Sequence, residues 1–231
     1  VCESIVQADY LINVPVLKAH CQTDLTCCMK NLKGCIPDSE KRRYHSVGLS
    51  KPIAALNGLV KPDLNIVDGI CGDLTFEEGG NPVEANRILL GYDAVELDSY
   101  CAGLIGYDPI EIGYIRTAYD WDIGERPAEY RIRELNTDKR PKTGKAASSR
   151  AKALSKHIDE DSACSACYAA LIFAIDKYGA RKLKEKIKIG QGFRGKKSDT
   201  PGVGNCCSGC RVFAKGCPPS AKDIVGMLEN L

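Results

Sequence analysis

Thirteen cysteines, unevenly spread, constrain this chain more than any other feature. Four fall within the twelve positions from Cys206 to Cys217, in the stretch GNCCSGCRVFAKGCPP, with Cys207 and Cys210 between them. Two more form CSAC at Cys164 and Cys167. A chain of 231 residues can bury a sizeable core without covalent staples. Thirteen is also odd, so any all-disulfide scheme leaves a thiol over. The first residues, VCESIVQADYLINVP, have no basic n-region and no small-residue cleavage site, so no export signal is expected. A reducing, cytoplasmic setting follows as the expectation. There, clustered thiols bind metal or do redox chemistry more often than they pair. No run of about 18 apolar residues occurs, so no membrane span is expected.

Charge divides the chain. Up to Asp138 there are 13 Lys and Arg against 22 Asp and Glu, a net of −9; from Lys139 onward there are 19 against 8, a net of +11. Three pieces are expected: an α/β domain over 1–138, a basic linker over 139–156, and a cysteine-rich module over 157–231. The linker carries seven basic residues and no acid between Lys139 and Lys156. No aromatic residue interleaves them, so solvated chain is favoured over nucleic-acid contact.

The apolar patterning predicts α/β layering, with a mixed or parallel sheet against helices. DYLINVPVL (9–17) and KPDLNIVDGI (61–70) read as strands, and KPIAALNGLV (51–60) as a helix. RILLGYDAVELDSYCAGLIGYDP (87–109) begins as a strand and turns helical at Asp93. CSACYAALIFAIDKYG (164–179) is a helix closed by Gly179. KIKIG (186–190) and RVFAKG (211–216) are strands. SAKDIVGMLENL (220–231) is a closing helix with Ser220 as its N-cap, just after Pro218 and Pro219.

Iron–sulfur clusters are held by thiolates, usually four. Cys164 and Cys167 form a CxxC at a helix start, where backbone N–H groups also favour negative charge. Cys217 lies in a Gly-Cys-Pro-Pro turn. A fourth ligand must then come from Cys206, Cys207 or Cys210. The ferredoxin run C-x2-C-x2-C-x3-C-P is absent. Zinc is the first rival, because CxxC plus two later cysteines also makes a tetrahedral site. A thioredoxin-type dithiol at Cys164 and Cys167 is the second. The reading favours a 4Fe–4S cluster over zinc, and zinc over thiol chemistry. Cys2, Cys71 and Cys101 read as core residues. Cys21, Cys27, Cys28 and Cys35 crowd near His20; lacking a CxxC, they read as small buried side chains rather than a second metal site.

ADYLINVPVLKAH (8–20) followed by MKNLKG (29–34) resembles the iron–sulfur-associated family known as domain of unknown function 362. The resemblance continues through HSVG (45–48), PDLNIVDGI (62–70), EEGGNP (77–82) and LLGYDAVELDSYCAGLIGYDP (89–109), about half the chain. CSACYAAL and GCPP are similar to a cysteine-bearing C-terminal extension found in some such proteins. There the arrangement implies a 4Fe–4S cluster, with Cys206 as third ligand beside Cys164, Cys167 and Cys217, and Cys207 and Cys210 as extras. Members carry a further α/β segment before this point, so the resemblance implies an N-terminally incomplete domain. It implies a fold class and a cofactor, not a substrate.

Lys18, His20, Lys30, Asn31 and Lys33 flank a loop after a strand end, where open α/β sheets bind ligands. Such a set suits a small anionic substrate, with His20 as a general base and His45 and Asp68 joining it. Asp93, Glu96 and Asp98, with Glu78 upstream, signal a divalent metal only weakly, and Asp93 reads as an N-cap. GQGFRG (190–195) matches G-x-G-x-x-G, but the polar, Pro-containing stretch after it is a poor helix, so the match reads as chance. The expectation is an iron–sulfur oxidoreductase or electron-transfer protein whose basic module docks an acidic carrier such as a ferredoxin. The rival is a non-redox binding protein or hydrolytic enzyme with a structural cluster or zinc.

Overall fold

The computed structural model describes residues 1–73, 82–128, 131–135 and 146–231. Glu78, most of EEGGNP and residues 136–145 of the basic stretch lie outside them. The first part runs α1 (Glu3–Val6), β1 (Ile12–Asn13), β2 (Lys18–His20), β3 (Asp24–Thr26), α2 (Cys28–Asn31), α3 (Asp38–Val47), α4 (Ser50–Leu59), β4 (Leu64–Asp73), β5 (Pro82–Gly91), α5 (Ala94–Leu104) and α6 (Gly113–Asp120). The second runs α7 (Ala146–Ser155), β6 (Ile158–Glu160), α8 (Ser165–Tyr178), β7 (Ile187–Ile189), β8 (Gly202–Val203), β9 (Phe213–Ala214) and α9 (Ala221–Glu229). The fold is mixed α/β, as the patterning predicts.

The first part is built on a three-stranded mixed sheet in the order β1-β4-β5. β1 pairs parallel to β4, with Ile12 opposite Leu64, and β4 pairs antiparallel to β5, with Ile66 opposite Leu90. One face buries Asn65, Val67 and Leu89 against α2, α4, α5 and α6; Ile53, Cys101, Tyr114 and Ile115 fill this core. The other face leaves Ile12, Ile88 and Leu90 exposed. The strand expected over 9–17 is shorter than its apolar run. Only Ile12 and Asn13 pair as a strand, and Val16 adds an isolated bridge to Asp68. Pro15 has no N–H to donate to a ladder. Asn13 and not its apolar neighbours points inward, held by Asn65 Oδ1 at 2.9 Å and Cys28 O at 3.0 Å.

The second part is a four-stranded, wholly parallel sheet in the order β6-β7-β8-β9. The crossover from β6 to β7 passes through α8, which is apolar on most sides and buries Leu171, Ile172 and Ile175 against Ile224, Met227 and Leu228 of α9. The later crossovers use only 3-10 turns, Gln191–Phe193 and Asn205–Cys207. GQGFRG therefore opens a tight turn and no helix. The basic stretch expected as linker is helical from Ala146 to Ser155, and its Ala151 and Leu154 pack into the second core. Two cysteine assignments are corrected: Cys101 is core, but Cys2 and Cys71 are exposed.

The helix ends follow their chemistry. Asp93 Oδ1 accepts from the N–H groups of Val95 (2.7 Å) and Glu96 (3.0 Å), and Oδ2 accepts from Glu125 N–H at 3.0 Å. Ser220 and Asp223 form a capping box on α9. Asp93→Ala removes three acceptor contacts and should lower stability by about 1–2 kcal/mol. Urea unfolding followed by circular dichroism should show a lower midpoint with unchanged slope.

Candidate metal centre

In a parallel sheet every strand ends at the same edge, and ligands bind beyond those carboxyl ends. Cys164 follows β6, Cys206 follows β8 and Cys217 follows β9, so the topology gathers three distant cysteines at one edge. Cys164 is the N-cap residue of α8, and Cys167 lies in its first turn. Asn205 clamps the two later loops: its N–H donates to Gly216 O and its Oδ1 accepts from Gly216 N–H, both at 2.9 Å. Gly204 and Gly216 hold φ of 85° and 147°. A Cβ on Gly216 would meet Pro219 Cα at 2.5 Å, and one on Gly204 would lie 3.7 Å from Cys167 Sγ. Both glycines are therefore required by the turn that brings Cys206 and Cys217 towards α8.

The thiols feel one another. Burial, then the negative charge of Cys164, Cys217 and Cys206, pushes Cys167 from the ordinary value of 9.0 up to about 12. Cys164 is raised by burial and by Cys206 and Cys217, and eased by Arg42 and Lys33. Arg194 Nη2 donates towards Cys206 Sγ at 3.5 Å and also interacts with Cys217 and Cys164. Cys207 and Cys210 are arranged differently. Cys207 is buried and its thiol donates to Lys188 O at 3.4 Å, while the Cys210 thiol hydrogen-bonds with Cys207. None of the thirteen cysteines is in a disulfide.

The cysteine edge abuts the first part of the chain. Gln22 Nε2 donates to Glu160 Oε1 at 2.8 Å and Ala163 O at 3.1 Å, and Ser165 Oγ donates to Gln22 Oε1 at 2.9 Å. Gln191 Nε2 donates to Arg42 O at 3.1 Å. His45, from the last turn of α3, has Nε2 3.5 Å from Lys33 Nζ and 3.4 Å from Ser165 Oγ. Lys33, Arg42, His45 and Arg194 thus place a basic rim around the thiols. Lys33 and His45 were legible as candidates; Arg42 and Arg194 carry no motif, and only the fold brings them in.

The remaining residues of the expected anion site divide. His20 is buried, and its Nδ1 accepts from the N–H groups of Gln22 (3.1 Å) and Thr23 (3.2 Å), closing the β2–β3 hairpin. Its ring proton is therefore on Nε2. Lys30 is buried and donates to Thr26 Oγ1 at 3.1 Å. Asn31 donates to Asn13 Oδ1 at 2.8 Å and extends an amide chain through Asn13 to Asn65. Lys18 begins β2, and the Asp68 carboxylate accepts from Ile70 N–H at 3.0 Å on the sheet.

A second group is internal. Among the described residues, Cys27, Cys28 and Asp98 form the one set of three or more metal-type side chains whose donor atoms all lie within 4.8 Å of one another. Asp98 Oδ1 accepts from Cys28 N–H at 2.7 Å and Oδ2 from Met29 N–H at 3.1 Å. Burial raises the Asp98 carboxyl well above the carboxylate range, and Cys27 adds to the rise. Cys27 itself is pushed up by burial, but hydrogen bonds with Cys101, Cys28 and Asp98 outweigh that and hold it well below the ordinary thiol value.

Residues 1–103 match the family described as Domain of unknown function (DUF362). This likeness takes in the first 103 of the chain's 231 residues. A relative is the "Thylakoid-associated protein sll1697" of Synechocystis sp., 31% identical over 116 residues. The match covers 46% of this chain and 35% of that protein, so the chain spans about a third of its relative's length. No solved structure matches. The DUF362 match takes in Lys33, Arg42 and His45 and stops before all four of Cys164, Cys167, Cys206 and Cys217. No helix among the described residues is long and apolar enough to cross a membrane.

Without metal, the unfolded Cys167 thiol ionises near 9.0 and the folded one only near about 12. Between those values the folded state binds more protons, so stability falls as pH rises. Urea midpoints of the reduced, metal-free chain should drop between pH about 8 and about 10.5, and less in Cys167→Ser.

Proposed function

We propose that Cys164, Cys167, Cys206 and Cys217 hold one 4Fe–4S cluster, and that the chain is a redox enzyme or electron-transfer protein acting on a small anionic substrate. The observation that carries this reading is the meeting of four cysteines from three separate segments at the carboxyl edge of one parallel sheet. Such a cluster supplies one-electron transfer when bound. The donor set fits it. Cys164 and Cys167, raised by burial and by the neighbouring thiols, call for a cation among them, and the N-terminus of the 14-residue α8 together with Arg194 suits the site's negative charge.

Spacing favours the cluster over zinc. Four thiolates on zinc at about 2.3 Å stand about 3.8 Å apart. No three of these cysteines lie within 4.8 Å of one another, a wider cage that suits a cluster of several atoms. Raised thiols at Cys164 and Cys167 also argue against an activated dithiol, which needs a lowered one. Cys206 is favoured as third ligand because Cys164 and Cys167 both feel it; Cys207 acts more weakly, on Cys167 and not Cys164, and with Cys210 engages Lys188.

Lys33, Arg42 and His45 would bind and orient the anionic substrate across the seam. His45, between Lys33 and Ser165, is placed to give or take a proton there. The +11 of the chain from Lys139 onward suits an acidic carrier such as a ferredoxin. Thiols in this number suit a reducing, cytoplasmic setting. The thylakoid association of the relative leaves a membrane-adjacent one to be tested by fractionation.

Anaerobic purification should give about four irons and four sulfides per chain, with an EPR signal appearing on dithionite reduction. Cys206→Ser should lose the iron and Cys210→Ser keep it. Stoichiometric zinc without iron would sink the redox reading. Electron delivery from an acidic carrier should slow several-fold between about 50 and 500 mM salt; a salt-independent rate removes the docking step.

A further inference from the structure

The core of the first part keeps a separate, unexplained group of donors. Cys27, Cys28, Asp98 and Cys101 are all fully buried. Cys27 Sγ and Cys28 Sγ are 3.9 Å apart, close to the roughly 3.8 Å between two thiolates on one tetrahedral zinc ion. The Asp98 donor atom lies within 4.8 Å of both sulfurs. Cys101, one helical turn beyond Asp98 on α5, hydrogen-bonds Cys27 but stands outside that 4.8 Å set, and would close in on a bound ion. The carboxylate is held in place by the N–H groups of Cys28 and Met29, at 2.7 and 3.1 Å, and Tyr114 Oη lies 3.4 Å from Oδ2. Each carboxylate oxygen keeps a second lone pair after accepting such a bond.

We propose that Cys27, Cys28 and Asp98, with Cys101 as fourth donor, form an internal site for a thiophilic divalent cation of the zinc class. Three sulfurs and one oxygen make a tetrahedral set that zinc accepts. Three thiolates and a carboxylate around a divalent ion leave −2, the same as a four-cysteine zinc site, and the Cys28 and Met29 N–H groups offset part of it. Loading releases the protons that Cys28, Cys101 and the Asp98 carboxyl hold in the metal-free chain. Buried on every side, the ion would enter as the chain folds. It would tie the start of α2 to α5 and fix the segment that leads to Lys33. The site uses none of the C-terminal cysteines and stands whether or not those hold a cluster.

The test uses the full chain with Cys164, Cys167, Cys206 and Cys217 all replaced by Ala, expressed in cobalt-supplemented medium. About one cobalt per chain, with thiolate-to-cobalt charge-transfer absorption, is expected. Adding Cys28→Ala or Asp98→Ala should reduce the metal at least several-fold. A folded variant without cobalt overturns the proposal, as does metal that survives both substitutions. Should the four-fold variant fail to fold, the otherwise unaltered chain decides by elemental analysis. There Cys28→Ala should remove about one zinc-class ion per chain and leave iron and sulfide unchanged. No such ion at the outset, or no change on substitution, means that the group is a metal-free cluster of hydrogen-bonded thiols.

Discussion

Parallel pairing of β6 to β9 is the constraint on which the second half of the molecule depends. These strands have only two or three residues each, so their ladders contribute few hydrogen bonds. What keeps them aligned is the apolar burial of α8 and α9 over Ile187, Ile189 and Val203, worth about 1.5–3 kcal/mol per large side chain fully removed from water. Parallel direction then forces each connection to begin at one edge. The loops after β6, β8 and β9 need not be long to meet, because the sheet has already brought their first residues together. A cysteine placed just after each strand faces the others at little further conformational cost.

The first half depends on a buried carboxyl instead. Asp98 accepts from the first N–H groups of α2, as an N-cap residue would, but from 70 residues away. Cys27, at the cap position itself, makes no side-chain cap bond. The long-range contact joins the β2–β3 hairpin and α2 to α5 and so sets where Asn31 and Lys33 stand. An apolar replacement at Asp98 would leave the Cys28 and Met29 N–H groups buried without acceptors, at about 1–3 kcal/mol each.

Much of the fold was legible in the sequence where local chemistry decides it. Asp93 before an apolar helical run, Gly179 after one and Ser220 three residues before Asp223 carry their own hydrogen-bonding logic, and all three end helices as expected. β6 and β8 were not legible, since two or three residues hold no period to detect. The burial of Asn13 was hidden for another reason. Its partners, Asn65 and Asn31, form an amide ladder spread over more than 50 residues, and a polar residue inside an apolar run reads as the exposed face. In the site, the cysteines announced themselves by spacing and Lys33 and His45 by the family motif. Arg42 and Arg194 stay exposed and read as ordinary surface charge; only the fold brings them near the thiols.

That seam governs how the two halves divide the chemistry. The DUF362 match ends at residue 103, and the cysteine edge begins sixty residues later, so Lys33, Arg42 and His45 of the basic rim come from one half and the thiols, with Arg194, from the other. Among the described residues, the contacts that join them are mostly polar: Gln22 to Glu160, Ala163 and Ser165, Gln191 to Arg42, His45 to Ser165 and the Lys152–Asp24 ion pair, with Cys21 packed against the second core. Bonds of this kind net about 0.5–1.5 kcal/mol each, enough to set register but too weak to weld two cores. A site assembled across them is sensitive to their loss without unfolding either half. Removing Gln22 would withdraw three of those bonds at once, and its effect would fall on the placing of Ser165 and His45 beside Cys164 rather than on the stability of either core.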